Sequence, residues 1–320
     1  MSGGAQLAVR VSDVAAVAES IKRFRLEPRD APALPLYSAG SHVVVTMNDG
    51  SRTFRNPYSL MGSPTDSSGY SISVLKTENS RGGSRFMHEA VEPGTSLTIS
   101  QPINLFPIDK RGRKHLLIAG GIGITPLIAM AEQLACEDRP FELHYCVRGA
   151  KRAAFAGELA AKYERRVRVY RDDEAERLPL ARLLDHQPLG THLYVCGPSA
   201  MIDWVLAVAR SSGWPAESVH SERFLAPQSG APFDVTLARS GLTIKVSEHE
   251  SILEAVEAAG IDARYLCRGG ACGQCETAVV SARGELVHRD HYLTADQHGG
   301  GKQIMICVSR FRGSELVLDL

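Results

Sequence analysis

The sequence predicts three domains in series: an antiparallel β-barrel, an α/β domain on a parallel sheet, and a small β-rich domain closed around cysteines. Three observations predict it. The first hundred residues read as short strands between turn dipeptides, the middle alternates strand and helix patterns, and four of the seven cysteines fall in the last quarter. A length of 320 residues suits two domains or three small ones.

Composition sets outer limits. Hydrophobic residues make up 44% and charged residues 22%, as in an ordinary globular chain. Basic and acidic residues number 36 each, so there is no net field to attract nucleic acid. The longest apolar runs, such as Leu116–Ala119 and Trp204–Ala209, are far short of the roughly 20 residues of a membrane span. The N-terminus (MSGGAQLAVR) lacks the apolar core of a signal peptide, so a cytoplasmic address is expected. An odd cysteine count there favours metal, redox chemistry or buried thiols over a disulfide framework.

The barrel is expected over residues 1–107. Val9–Val14, Ile21–Leu26, His42–Met47, Tyr70–Leu75 and Ser96–Ile99 are strand-like runs, with Asp49-Gly50 and Pro93-Gly94 as turns between them. Two polar groups stand out. One is Arg55-Asn56-Pro57-Tyr58-Ser59-Leu60. The other is Ser80-Arg81-Gly82-Gly83-Ser84-Arg85-Phe86, which opens a helix and offers amides, a hydroxyl and two guanidinium groups to a phosphate. Either could instead be an ordinary basic loop.

The α/β domain is expected over residues 108–225. The buried-strand run Lys114–Ala119 ends in Gly120-Gly121-Ile122-Gly123-Ile124-Thr125-Pro126, followed by an apolar helix from Leu127. A strand, a glycine turn and a helix start form a diphosphate site, although the G-x-G-x-x-G fingerprint is absent. Further strands are predicted at Phe141–Val147, Val167–Tyr170 and His192–Val195, with helices between. The last runs into Cys196-Gly197-Pro198, at the strand end where such sheets bind ligands. Taken alone, Cys196 reads as a buried small apolar residue. Acidic Asp172 and Asp173 follow another strand, where carboxylates would repel a 2′-phosphate. Cys136 and Cys146 are expected to be structural.

Residues 226–232 read as a linker and 233–320 as the third domain. Phe233, Val235 and Leu237 alternate with polar residues, as do Leu242, Ile244 and Val246, across an Arg239-Ser240-Gly241 turn. Ser251 and Glu254 form a capping box for a helix carrying Ile252, Val256 and Ala259 on one face. Cys267, Cys272 and Cys275 have C-x4-C-x2-C spacing, and Cys307 follows after 31 residues. That is the plant-type [2Fe–2S] arrangement. Structural zinc usually uses paired C-x2-C knuckles, and a Cys272–Cys275 disulfide would leave Cys267 and Cys307 unexplained. A Rieske centre needs C-x-H spacing, which no cysteine here has. His288 and His291 are expected at the surface.

Tyr58-Ser59-Leu60, the turn Gly120–Pro126, Cys196-Gly197-Pro198 and the cluster, in that order, resemble the phthalate dioxygenase reductase family over nearly the whole chain. Within it, the likeness is greatest to reductases of aromatic O-demethylases and of carnitine or quaternary-amine monooxygenases. The resemblance implies an FMN-binding barrel, an NAD domain and a β-grasp-like ferredoxin domain. Tyr58 would then pack on the flavin, Ser59 and Leu60 would line it, and Ser59 would face N5. Gly82, Gly83 and Ser84 would hold the FMN phosphate. Gly121, Gly123, Thr125 and Pro126 would line the NADH diphosphate and nicotinamide side. Cys196, with Gly197 and Pro198, would lie by the nicotinamide, and Glu222 and Phe224 would close the cleft. The family pattern is R-x-Y-S, whereas Asn56 stands at the arginine position here. Arg55 would need a bulge at Pro57 to reach the phosphate, or Arg81 or Arg85 would replace it.

The implied function follows from electron counting. NADH gives up two electrons as a hydride, the cluster accepts one, and a flavin mediates. The expected acceptor is a Rieske-type non-haem iron oxygenase. From Phe233 on, nine basic and twelve acidic residues give the ferredoxin domain a charge of −3, leaving +3 for the rest. An electron-transfer subunit of a larger dehydrogenase and a redox sensor without turnover are the competing readings.

Overall fold

The computed structural model describes residues 5–78, 80–225 and 229–320. Three sheets follow one another along the chain. The first contains β1 (Gln6–Ala18), β2 (Ile21–Pro28), β3 (Ser41–Asn48), β4 (Thr53–Ser59) and β5 (Tyr70–Leu75). After helix α1 (Gly83–Glu89) come β6 (Ser96–Ser100) and the short β7 (Ile103–Asn104). The order is β4-β3-β6-β1-β2-β5, with β7 on β3 and every pair antiparallel. An antiparallel bridge from Met61, just beyond β4, to Ser71 of β5 closes the ends into a barrel. Val9, Val11, Phe24, Leu26, Val43, Val45, Ile72 and Ile99 fill it, at the period-2 spacing that one buried face dictates.

The second sheet is wholly parallel. It comprises β8 (Lys114–Gly120), β9 (Phe141–Val147), β10 (Val167–Arg171), β11 (Thr191–Cys196) and β12 (Val219–Glu222), in the order β10-β9-β8-β11-β12. Helices α2 (Ile124–Cys136), α3 (Ala156–Tyr163), α4 (Leu180–Asp185) and α5 (Ser199–Ser211) cover it. Leu117 and Ala119 of β8 face one core and Leu116 and Ile118 the other. Burial on both faces explains why β8 reads as a continuous apolar run. The sequence expectation placed the helix start at Leu127. The helix instead starts at Ile124, and Pro126 sits in its first turn, where no backbone N–H is needed.

The barrel and this sheet share one core. Ile21, Ala39, Met61 and Phe106 from the first part pack with Leu117, Ala119, Ile124 and Leu127 from the second. The Ala39 amide also donates to Gln133 of α2 at 3.0 Å.

The third sheet has its own core. Strands β13 (Phe233–Leu237) and β14 (Leu242–Val246) form the expected hairpin. Helix α6 (Ile252–Ala258) follows, with both halves of the Ser251–Glu254 capping box formed. Then come β15 (Glu276–Val287), α7 (Ala295–Gly300), β16 (Gln303–Met305) and β17 (Arg310–Leu318), giving the order β14-β13-β17-β15-β16. Of the expected linker, Ala226–Gln228 lies outside the described residues. Its end is tied down by Arg310, which donates to the Gly230 and Ala231 carbonyls at 3.1 and 3.0 Å. No helix among the described residues is long and apolar enough to cross a membrane.

Candidate functional site

β4 carries the first polar group. It pairs with β3 without a register shift, His42 opposite Ser59 and Thr46 opposite Arg55. The expected bulge at Pro57 is absent. Strand alternation therefore puts Phe54, Asn56 and Tyr58 on one face and Arg55 on the other. The Gly82-Gly83 turn lies over the first of these faces. A Cβ on Gly82 would stand 2.5 Å from the Phe54 ring, and one on Gly83 2.4 Å from Asn56 Nδ2. Only glycine allows that approach, so turn and strand form one cradle.

Asn56 Nδ2 donates to Tyr58 Oη at 3.2 Å, and burial pushes the Tyr58 phenol up to about 12. Ser84 Oγ donates to Ser80 Oγ at 2.9 Å, and Ser80 Oγ accepts the Gly82 amide at 3.1 Å. Ser59 and Leu60 are buried, and the Leu60 amide donates to Ser41 O at 2.8 Å. Arg85 is exposed.

The two remaining arginines point elsewhere. Arg55 pairs with Glu257 of α6 at 3.5 Å. Arg81 binds both carboxylate oxygens of Glu254, at 2.8 and 3.2 Å, and the His249 carbonyl at 2.8 Å. The expectation that Arg55 reaches a phosphate through a bulge is thus overturned by strand register.

At the carboxyl ends of β8 and β11 two glycine turns meet. A Cβ on Gly123 would lie 2.3 Å from the Cys196 carbonyl oxygen, and one on Gly197 3.0 Å from Gly120 Cα. Gly121 has φ of 53° and open space where a Cβ would be. Thr125 Oγ1 donates to the Ile122 carbonyl at 3.1 Å and fixes the turn into α2. Pro198 lies against Gly120.

Cys196 is fully buried between Ala119 of β8 and Glu222 of β12, in register with both. Burial, and then the Glu222 carboxyl, push its thiol well up. Burial pushes Glu222 up to about 8, and among the described residues no group bonds its buried Oε2. A carboxyl and a thiol, both protonated near neutrality, therefore stand side by side at the switch point of an open parallel sheet, where such sheets bind ligands. Phe224 follows on the exposed surface. The Gly121–Gly123 turn lies against β5 of the barrel, and Met61, two residues after Ser59, packs in the shared core with Ala119. Those contacts bring the Ser59 and Cys196 regions together. Asp172 is held by Arg177 at 2.6 Å, and Asp173 lies beside Gly149, just past β9.

The cysteines converge as spacing predicts. Glu276 pairs with Met305 across β15 and β16, which carries Cys275 and Cys307 to the same end of that ladder. Cys267, Cys275 and Cys307 are buried and Cys272 is half-buried. The neighbouring Cys272 thiol, then the Ala271, Gly269 and Cys272 amides, pull the Cys267 thiol down from its ordinary value. A loop that turns its amides onto a thiolate fits an anionic iron–sulfur cluster. Gly273 packs under the Tyr292 ring.

Two other expectations need correction. His288 is not a surface residue: its side chain is 9% exposed and stacks on His298 at 4.2 Å, facing the fully buried Asp290. His291 is exposed as expected. Cys136 is exposed at the end of α2 rather than structural, whereas Cys146 is half-buried and pushed up to about 12 by burial. Sequence reasoning also missed Arg52, Glu254, Glu257 and Arg268, whose partners lie in other domains or across a turn. Only the capping role of Glu254 was visible locally.

Family models match two stretches: residues 98–219 as "Dimethylamine monooxygenase subunit DmmA-like, N-terminal domain" and 235–312 as "2Fe-2S iron-sulfur cluster binding domain". The chain is 44% identical over 302 residues to a carnitine monooxygenase reductase subunit of Acinetobacter pittii, covering 94% of this chain and 98% of that one. It is 42% identical to a heme-dependent oxidative N-demethylase beta subunit of Ectopseudomonas mendocina, covering 98% and 99%. A solved structure titled as phthalate dioxygenase reductase, "a modular structure for electron transfer from pyridine nucleotides to [2Fe-2S]", superposes with a TM-score of 0.89. It is 36% identical, with 98% of each chain covered.

Proposed function

The chain belongs to the phthalate dioxygenase reductase family, and from that premise we propose that it passes electrons from NADH through FMN and a [2Fe–2S] cluster to a Rieske-type oxygenase component. The observation that carries this is the meeting of a thiolate-and-amide loop with a glycine-turn site and a glycine cradle in a single chain. A bound flavin would accept a hydride and release its electrons singly to the cluster.

The chain's own residues orient and insulate. Phe54, Asn56 and Tyr58 with the Gly82-Gly83-Ser84 loop supply the cradle for FMN, and Tyr58 offers its ring as a platform. Gly121, Gly123, Thr125 and Pro126 shape the turn for the NADH diphosphate, with Gly197 and Pro198 as its other wall. Cys196 places a neutral thiol at the strand end beside the nicotinamide site rather than a nucleophile. Glu222 holds a proton on its carboxyl near neutral pH, so a dry cleft is kept without a buried charge. Phe224 is exposed beside it, where it can cover the nicotinamide side. Cys267, Cys272, Cys275 and Cys307 are the cluster ligands. Asn56, in place of the family arginine, leaves the phosphate to loop amides and the Ser84 hydroxyl.

One relative favours a second reading of the partner. The 42% identical N-demethylase subunit is named as heme-dependent, so a haem oxygenase is the alternative acceptor.

Reconstitution separates the two. The purified protein should release FMN by mass, and NADH should reduce flavin and then cluster. Product formation with a Rieske oxygenase and not with a haem N-demethylase supports the first reading, and the reverse pattern the second. Release of FAD, or no reduction by NADH, would overturn the proposal.

A further inference from the structure

Helix α6 presents two carboxylates one turn apart, Glu254 and Glu257, and both leave their own domain's core to meet the barrel. This i, i+3 spacing puts them on the same face. Glu254 receives the Arg81 guanidinium through two bonds, with side chains only 12% and 15% exposed. Arg81 directly precedes the Gly82-Gly83 cradle. Glu257 receives Arg55 of β4 at 3.5 Å. It also receives Arg268, whose guanidinium stacks over the Tyr265 ring at 3.9 Å. Arg268 directly follows Cys267, is 5% exposed and holds φ of 52°, a costly conformation for a non-glycine residue.

Glu257 thus stands between the strand that carries Tyr58 and the loop that carries the first cluster thiolate. Arg52 and Arg81 add a further seam, each donating to the His249 carbonyl at 2.9 and 2.8 Å. These contacts run between a domain of charge −3 and the remainder at +3. The fixed points of the seam are therefore opposite charges partly shielded from water, which specify register more than they add affinity.

Resting on the function proposed above, we infer that Glu254 and Glu257 are positioning residues that clamp the ferredoxin domain on the barrel and fix the cluster loop relative to the flavin cradle. Neither touches a reacting group. Glu254→Gln retains the capping box, since glutamine serves at that position too, so it removes charge without unravelling α6.

The test compares wild type, Glu254→Gln, Glu257→Gln and the double variant, each loaded with FMN and cluster. In stopped flow, NADH reduction of the flavin should be unchanged, and cluster reduction should slow by roughly tenfold in the double variant as the docked fraction falls. Two further readouts do not depend on turnover. The double variant should be cut faster between the α/β and ferredoxin domains by a protease, and X-ray scattering should give it a larger radius of gyration. The isolated cluster spectrum should not change.

Unchanged cluster reduction, cutting and scattering in the double variant would overturn the clamp. A lost cluster spectrum would overturn it as well, by showing that the acids support the loop alone. Failure of the wild type to pass electrons from NADH to flavin would instead strike the proposed function and leave the cutting and scattering comparison to decide the clamp.

Discussion

Cys196 and Glu222 are paired in register across β11 and β12, a fully buried thiol beside a carboxyl that burial pushes up to about 8. The folded protein binds the Glu222 proton more tightly than the unfolded chain does, whose ordinary value is 4.5. Its contribution to stability is full below about pH 4.5 and is lost as pH rises through about 8. Glu222→Gln, which cannot ionise, should therefore gain on the wild type across that window. Thermal midpoints at a series of pH values check this; parallel curves would mean that Glu222 is solvated.

Cys196→Ala should slow reduction of the flavin by NADH by about tenfold, equivalent to ~1.4 kcal/mol of barrier, while flavin retention changes little. The thiol lies at the strand end proposed for the nicotinamide, and the cradle for FMN is built from other elements. Single-turnover absorbance gives the rate and gel filtration the retained flavin. An unaltered rate would reduce Cys196 to packing.

Gly123→Ala places a methyl group 2.3 Å from the Cys196 carbonyl oxygen. Backbone cannot yield as a flexible side chain would. A loss of about 1–3 kcal/mol in stability is expected, with weaker NADH binding because two turns separate at once. Gly121→Ala meets no atom but is strained by its φ of 53°. It should be the milder change in calorimetry.

Cys272→Ser should abolish the iron–sulfur absorption and EPR signal and leave NADH reduction of the flavin intact. Cys272 is the most accessible of the four cysteines, so this exchange disturbs packing least. Survival of the signal would remove Cys272 from the ligand set.

What was legible in the sequence was local. Tyr70–Leu75 and Phe141–Val147 read as strands because each alternates or runs apolar within one element. The cysteine loop read as a cluster site because three ligands fall within nine residues. β4 did not read as a strand, since Arg55, Asn56 and Pro57 are poor strand formers and only pairing with β3 holds them. β12 was missed for a similar reason: Val219–Glu222 is four residues long and mostly polar. The Arg55–Glu257 pair joins residues 202 apart. No window of sequence contains such a contact, because it arises only once two separate cores have formed and met.

The uneven sharing of cores has a consequence for recombination. A crossover near residue 107 would part Met61 and Phe106 from Ala119 and Leu127, so exchanging the first sheet alone demands co-adapted partners on both sides of the cut. A crossover after residue 225 severs no hydrophobic cluster of the described residues, because the third sheet closes on itself. Among the described residues, modules exchanged there inherit a polar fitting: two acids one helical turn apart meeting two arginines, and the His249 carbonyl accepting from Arg52 and Arg81. A donor ferredoxin that carries those acids can be grafted as a unit.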